Sequence, residues 1–242
     1  MDKLKSAVIL AAGKGLRMQN KFSCSKPMIP ILGKPLITFI LDALLYSEIE
    51  RIITIYSSTS CDVLNINKEY PNIEFIEDKK EQGILSTINC ASEAIKDIPF
   101  ILSCADIIVQ KHDLKKMLAY GINLHDETPD LFIPVVNNPS IQNEKPLTVK
   151  NGRVLNFNPN SIGNDKNAGG SIFLWYTTPF PLVKELIAGG TQNPSTFLQK
   201  FIKNHKVLGM PIADLWDVDT LEDVKETEKV LSAKIVDYAL TK

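Results

Sequence analysis

Gly13-Lys14-Gly15-Leu16-Arg17 and, a few residues further on, Ser25-Lys26-Pro27 place two glycines and several cations where they can meet one anion. Glycines one residue apart let the backbone turn sharply and present N–H groups, while Arg17 and Lys26 bring fixed positive charge. That combination suits a polyphosphate, so chemistry on a nucleoside triphosphate is the first expectation. A dinucleotide-binding fingerprint would need a third glycine where Met18 stands. A P-loop would need four residues between its glycines and then Gly-Lys-Ser/Thr. Neither is present, and the loop alone leaves open an ordinary strand-to-helix turn with a solvated arginine.

Acids could complete such a site. The apolar run Phe100–Cys104 ends at Ala105-Asp106, with Asp106 a turn former or a metal ligand. In Trp216-Asp217-Val218-Asp219, the alternation of an extended segment puts Asp217 and Asp219 on one face. Thr220 and Asp223 match a helix-capping pair, and Glu222 and Asp223 stand in the first turn, where the helix dipole favours acids. His112, His125 and His205 lie in polar surroundings without repeated spacing and are assigned no catalytic part.

These groups need elements to hold them. Ala7–Ala12 is a short apolar run closed by glycine, which suits a buried parallel strand. Pro35–Leu45 has helical apolar spacing, Arg51–Tyr56 and Ile73–Ile76 read as strands, Ser86–Ile95 as a helix and Phe100–Cys104 as a buried strand. The alternation predicts an α/β fold: a Rossmann-like, doubly wound, mostly parallel sheet in a three-layer α/β/α arrangement, with ligands at the carboxyl ends of the strands. Gly13–Arg17 and Asp106 then share one rim.

The chain has 242 residues, 44% of them hydrophobic, and is read as a single domain over residues 1–242. A net charge of −1 gives no electrostatic reason to expect nucleic acid or a membrane surface as partner, and Lys79-Lys80 and Lys115-Lys116 read as solvated faces. Cys24, Cys61, Cys90 and Cys104 are widely spaced and form no Cys-x-x-Cys pair, which points to a reducing compartment. Lys3 and Lys5 before an apolar run imitate a signal peptide, but that run is too short, and no segment approaches a membrane span. Cytoplasmic residence is the expectation. The tail from Val224 to Leu240 carries apolar residues that could serve a homodimer interface or close the core.

Ala11-Ala12-Gly13-x-Gly15-x-Arg17-Met18, followed by Lys26-Pro27-Met28 and Gly33-Lys34-Pro35-Leu36, resembles the N-terminal motif of the nucleotidyltransferase superfamily of nucleotide-sugar pyrophosphorylases and MobA-like NTP transferases. The resemblance implies that Leu10, Ala11, Ala12, Gly13 and Gly15 wrap the triphosphate, with Arg17 and Lys26 as catalytic cations around the α-phosphorus. It implies Mg²⁺ as cofactor, held by Asp106 at the end of the central strand and by Asp219, with Asp217 the alternative to Asp219. Gln82, Gly83 and Ser86 stand where relatives read the base, and Lys145, Asn167 and Gly170 where they line the acceptor pocket.

The resemblance is nearest to compact, cytidylyltransferase-like members. It implies transfer of CMP from CTP to a small phosphorylated alcohol or phosphonate of choline, inositol or aminoethylphosphonate type, releasing pyrophosphate. A sugar-1-phosphate acceptor with GTP, UTP or dTTP is the alternative within the class, and a non-catalytic nucleotide-binding regulatory module the alternative outside it.

Overall fold

The computed structural model describes residues 4–18, 21–122, 128–137, 146–157 and 167–240. The first half alternates strand and helix: β1 (Ser6–Leu10), the hairpin β2 (Pro30–Ile31) and β3 (Lys34–Pro35), α1 (Leu36–Tyr46), β4 (Arg51–Tyr56), β5 (Ile73–Glu77), α2 (Ile84–Ala94), β6 (Phe100–Cys104), β7 (Ile107–Val109) and α3 (Lys111–Ile122). The second half holds β8 (Leu131–Asn137), β9 (Leu147–Lys150), β10 (Arg153–Phe157), β11 (Asn167–Gly169), β12 (Ile172–Trp175), α4 (Phe180–Ala188), α5 (Pro194–Asn204), β13 (Val207–Pro211), β14 (Leu215–Asp217) and α6 (Leu221–Leu240).

The main sheet runs β5-β4-β1-β6-β12-β8-β13-β10-β9, with β11 beside β8. The four strands from β5 to β6 are parallel, as strands joined by crossover helices must be. β12 then enters antiparallel between β6 and β8, and β13 restores the parallel direction against β8. The sheet is therefore mostly parallel in strand direction but mixed, a reversal that the polar, turn-rich sequence before β12 did not announce.

Side chains of β1 alternate between two cores. Ala7 and Ile9 join Ile37 and Leu41 of α1 and Leu114 and Leu118 of α3. Val8 joins Leu85 and Ile88 of α2, with Val183 of α4 and Phe201 of α5 on the same face. Period-two alternation with both faces buried explains the unbroken apolar run and makes the three-layer arrangement. A smaller third core collects Met18, Ile29, Ile31, Ile108, Trp216, Val218 and Val224. Each of Met18, Val218 and Ile108 lies within two residues of a candidate site residue, so this core fastens the site.

Candidate active site

β1 delivers its loop to the carboxyl edge of the sheet. The Ala11 amide donates to the Ile55 carbonyl at 2.7 Å, and the Ala105 amide to the Leu10 carbonyl at 3.1 Å. Beyond that edge the chain turns at Gly15, whose φ of +57° only glycine adopts cheaply, and the Met18 amide closes the turn on the Gly15 carbonyl at 2.8 Å. Gly13 has no such φ; it is exposed, and a Cβ there would meet nothing within 4 Å. Of the two glycines, Gly15 is the one the backbone requires. Lys26 opens a short 3₁₀ turn, Lys26–Met28, and its side chain lies against Gly15.

The acids arrive by a different route. β7 and β14 pair antiparallel, with Asp217 opposite Ile107, and the Val218 amide donates to the Asp106 carbonyl at 3.0 Å. This two-stranded ribbon brings carboxylate oxygens of Asp106, Asp217 and Asp219 within 4.8 Å of one another. Asp223 fixes the last of them: one of its oxygens accepts from the Asp219 amide at 2.9 Å, the Thr220 amide at 2.6 Å and the Thr220 hydroxyl at 2.9 Å. The Asp223 amide returns a bond to Thr220 Oγ1 at 3.2 Å, a reciprocal cap on α6.

Cations and acids meet at Lys26. Its Nζ donates to Asp106 and to Asp219, the latter at 2.5 Å, while Arg17 Nη1 donates to the other Asp219 oxygen at 2.7 Å. The Lys26 side chain is 11% exposed and that of Arg17 70%, so Lys26 is the desolvated, fixed charge and Arg17 the hydrated one. Burial alone would lower the Lys26 pKa; the Asp106 and Asp219 carboxylates outweigh it and hold the ammonium well above its ordinary range. Lys26 is a permanent cation here.

Around this cluster opens a cleft of about 460 Å³, lined on the loop side by Leu10, Ala12, Gly13, Gly15, Arg17 and Lys26. Its other wall is Glu81, Gly83, Ile84 and Thr87, with Cys104, Asp106 and Asp219 at the base. Gly83, at φ +119°, starts α2. Glu81 accepts from the Ser58 hydroxyl at 2.6 Å and amide at 2.9 Å, bonds that hold its carboxyl below the usual range.

The expected base-side residues divide. Gly83 lines the cleft, whereas Gln82 is exposed and not part of the lining. Ser86 is buried, its amide on Gln192 Oε1 at 3.1 Å and its hydroxyl directed at Asp78. Thr87, one position further along α2, faces the cleft instead. Ala11 is buried behind the loop. Asn167 pairs with Asn137 in the β11–β8 ladder, and Gly170, buried at φ +122°, precedes Ser171, whose carbonyl accepts the Cys104 amide at 2.8 Å. Gly170 does not line the cleft. Lys145 and His125 lie outside the described residues. His112 meets Tyr46, and His205 stacks on Phe201 with ring centroids 3.9 Å apart, both away from the cleft. Glu81, Thr87 and Cys104 were not foreseen; Thr87 has a signal, since it follows Gly83 by one helical turn.

A glycine turn at the end of β1, a buried lysine and acids at the ends of β6 and β14 define an α/β nucleotidyltransferase fold. The chain belongs to the MobA-like NTP transferase domain family, which it matches over residues 7–201. It is 28% identical to the bifunctional protein GlmU of Methanocaldococcus jannaschii over 95% of this chain and 55% of that protein. The chain spans about half the length of the curated relatives it matches over most of its length. Among solved structures, it superimposes on the inositol-1-phosphate CTP transferase of T. maritima with a TM-score of 0.80 at 16% identity, covering 96% of each chain. UDP-glucose pyrophosphorylase of Acinetobacter baumannii gives 0.76 at 13% identity, covering 93% of this chain and 92% of that one. Among the described residues, no helix is long and apolar enough to cross a membrane.

Proposed function

We propose that the protein transfers a nucleoside monophosphate from a nucleoside triphosphate to the phosphate of a small phosphorylated alcohol, releasing pyrophosphate, with CTP and a polyol phosphate or phosphonate as the first pair to test. The observation that carries this reading is the convergence of Lys26 and Arg17 with Asp106, Asp217 and Asp219 beside a glycine-turn cleft. The likeness to the inositol-1-phosphate CTP transferase supports the pairing. The likeness to UDP-glucose pyrophosphorylase supports a second reading, a sugar 1-phosphate with UTP, GTP or dTTP.

The loop amides and Gly15 turn would wrap the phosphates, and Lys26 and Arg17 would neutralise charge at the α-phosphorus. The acceptor phosphate, with a second pKa of about 6, is already ionised near neutral pH, so its oxygen attacks the α-phosphorus without a general base. The bond to the β-phosphate breaks and pyrophosphate leaves. What the reaction asks of the protein is in-line placement and fixed charge, which a desolvated lysine supplies. The three carboxylates offer hard oxygen donors at a spacing that fits a divalent cation. Asp106, Asp217 and Asp219 would hold Mg²⁺, which when bound supplies charge neutralisation on phosphate oxygens.

The test is pyrophosphate release with Mg²⁺, crossing CTP, UTP, GTP, ATP and dTTP with inositol phosphate, phosphocholine, aminoethylphosphonate and sugar 1-phosphates. Release with one pair, lost in Asp106→Ala, supports the transferase and names its substrates. Nucleotide binding by calorimetry without release from any pair would favour the regulatory module.

A further inference from the structure

We infer that Asp62 is a positioning residue for Lys26, acting through Ser25; the inference rests on the reading of Lys26 as the phosphate-facing cation. Ser25 is the N-cap of the 3₁₀ turn that begins at Lys26, yet its hydroxyl caps nothing in that turn. It donates instead to Asp62 Oδ1, while the Ser25 amide donates to Asp62 Oδ2 at 2.8 Å. Both oxygens of one carboxylate are thus spent on one residue, the immediate neighbour of Lys26, from 37 positions away in sequence.

The anchor is itself fixed. Asp62 lies in the 3₁₀ segment Ser58–Lys68 that follows β4, opened by reciprocal Ser57 and Ser60 caps and pinned into the main core by Val63 and Ile66. The Ser57 hydroxyl donates to the Ala12 carbonyl at 3.2 Å, so the same segment is tied to the phosphate loop. The residue before Lys26 is thus fixed by Asp62, while the Lys26 side chain lies against Gly15 with its Nζ on Asp106 and Asp219. Misplacement of a reacting group by about 1 Å costs on the order of 10²-fold.

Electrostatics and geometry make opposite forecasts. A carboxylate beside a polyanion site opposes anion binding, so a purely electrostatic Asp62 would improve function when neutralised. As a positioning residue, Asp62→Asn keeps an acceptor for the Ser25 amide and offers an N–H to its hydroxyl, whereas Asp62→Ala keeps neither.

The experiment compares the full chain with D62A, D62N, K26A and D62A/K26A. In the first arm, needing no substrate, hydrogen exchange is followed in the peptide spanning residues 21–31. It rises in D62A and stays at the wild-type level in D62N. In the second arm, pyrophosphate release is measured: kcat/KM falls about 10- to 100-fold in D62A, as for other groups that orient a site residue. It recovers to within about threefold in D62N, and D62A adds nothing in the K26A background. Unchanged exchange in D62A, equal loss in D62N and D62A, or an undiminished effect of D62A on top of K26A overturns the inference. If the wild type releases no pyrophosphate with any pair, the transferase reading fails by itself, and the exchange arm still decides whether Asp62 holds the Lys26 turn.

Discussion

A Cβ on residue 15 would sit 2.9 Å from the Cβ of Lys26, closer than real Cβ atoms approach. The Gly15 turn and Lys26, both lining the cleft, are packed as one piece. Gly15→Ala therefore imposes two penalties: a left-handed residue with a side chain, worth about 1–2 kcal/mol, and displacement of Lys26. The expected outcome is a fall in kcat/KM of about 10²-fold with a melting temperature lowered by only a few degrees. Steady-state kinetics and calorimetry on the same preparation check it; wild-type turnover with lowered stability would show that the contact is structural alone.

Lys26→Ala should lower turnover by about 10²–10³, the range for removing one preorganised charge donor. It also leaves Asp106 and Asp219 without the buried cation that both accept from, beside Asp217. Added Mg²⁺ should accordingly raise the melting temperature of K26A more than that of the wild type, because cation binding then relieves repulsion that Lys26 otherwise relieves. Thermal scans with and without Mg²⁺ decide this, and an equal rise in both proteins would count against the acids as the cation's ligands.

Asp223→Ala removes the acceptor of three donors at the start of α6. A lost cap costs about 0.5–2 kcal/mol, read as a lower urea midpoint with an unchanged slope. Because one of those donors is the amide of Asp219, activity should fall beyond what the loss of folded protein explains. Asp223→Asn, which retains an acceptor, should recover most of both.

Burial first, and then Asp78, push the Cys90 thiol from an ordinary 9.0 up to about 11. Cys61 is exposed. Since the thiolate is the reactive form, a thiol reagent at pH 8 should modify Cys61 quickly and Cys90 only on unfolding. The sign for stability follows: the unfolded thiol ionises first, so the Cys90 contribution is intact below pH 9.0 and is lost as pH rises toward about 11. Mass spectrometry of the modified peptides, repeated between those limits, tests both statements.

How much of this was legible in the sequence varies with the range of the contact. β4 and β6 could be read because β-branched and apolar runs bounded by polar residues have few alternatives to a buried strand. Thr220 and Asp223 could be read because a cap is a local event. The β7–β14 ribbon could not: its strands are three residues long and pair across about a hundred residues, so no local pattern marks them. Asp62 was invisible for the same reason, since its hydrogen bonds to Ser25 reach a turn 37 residues earlier. Ser86 illustrates the opposite difficulty, a polar residue of the expected type whose donors are consumed by Gln192 and Asp78.

The bond from Lys26 to Asp219 joins residues 193 positions apart and that from Arg17 residues 202 apart. The third core, with Met18 and Ile29 from one end of that span and Trp216, Val218 and Val224 from the other, is what lets those bonds form. On the ribosome the phosphate loop and its lysine would emerge early and wait, while Asp219 is made much later. A nascent or clipped chain ending before β14 would retain the strands of the main sheet and the glycine turn but lack Asp217 and Asp219. The charge cluster is thus assembled from both ends of the chain and is incomplete until Asp219 has been made.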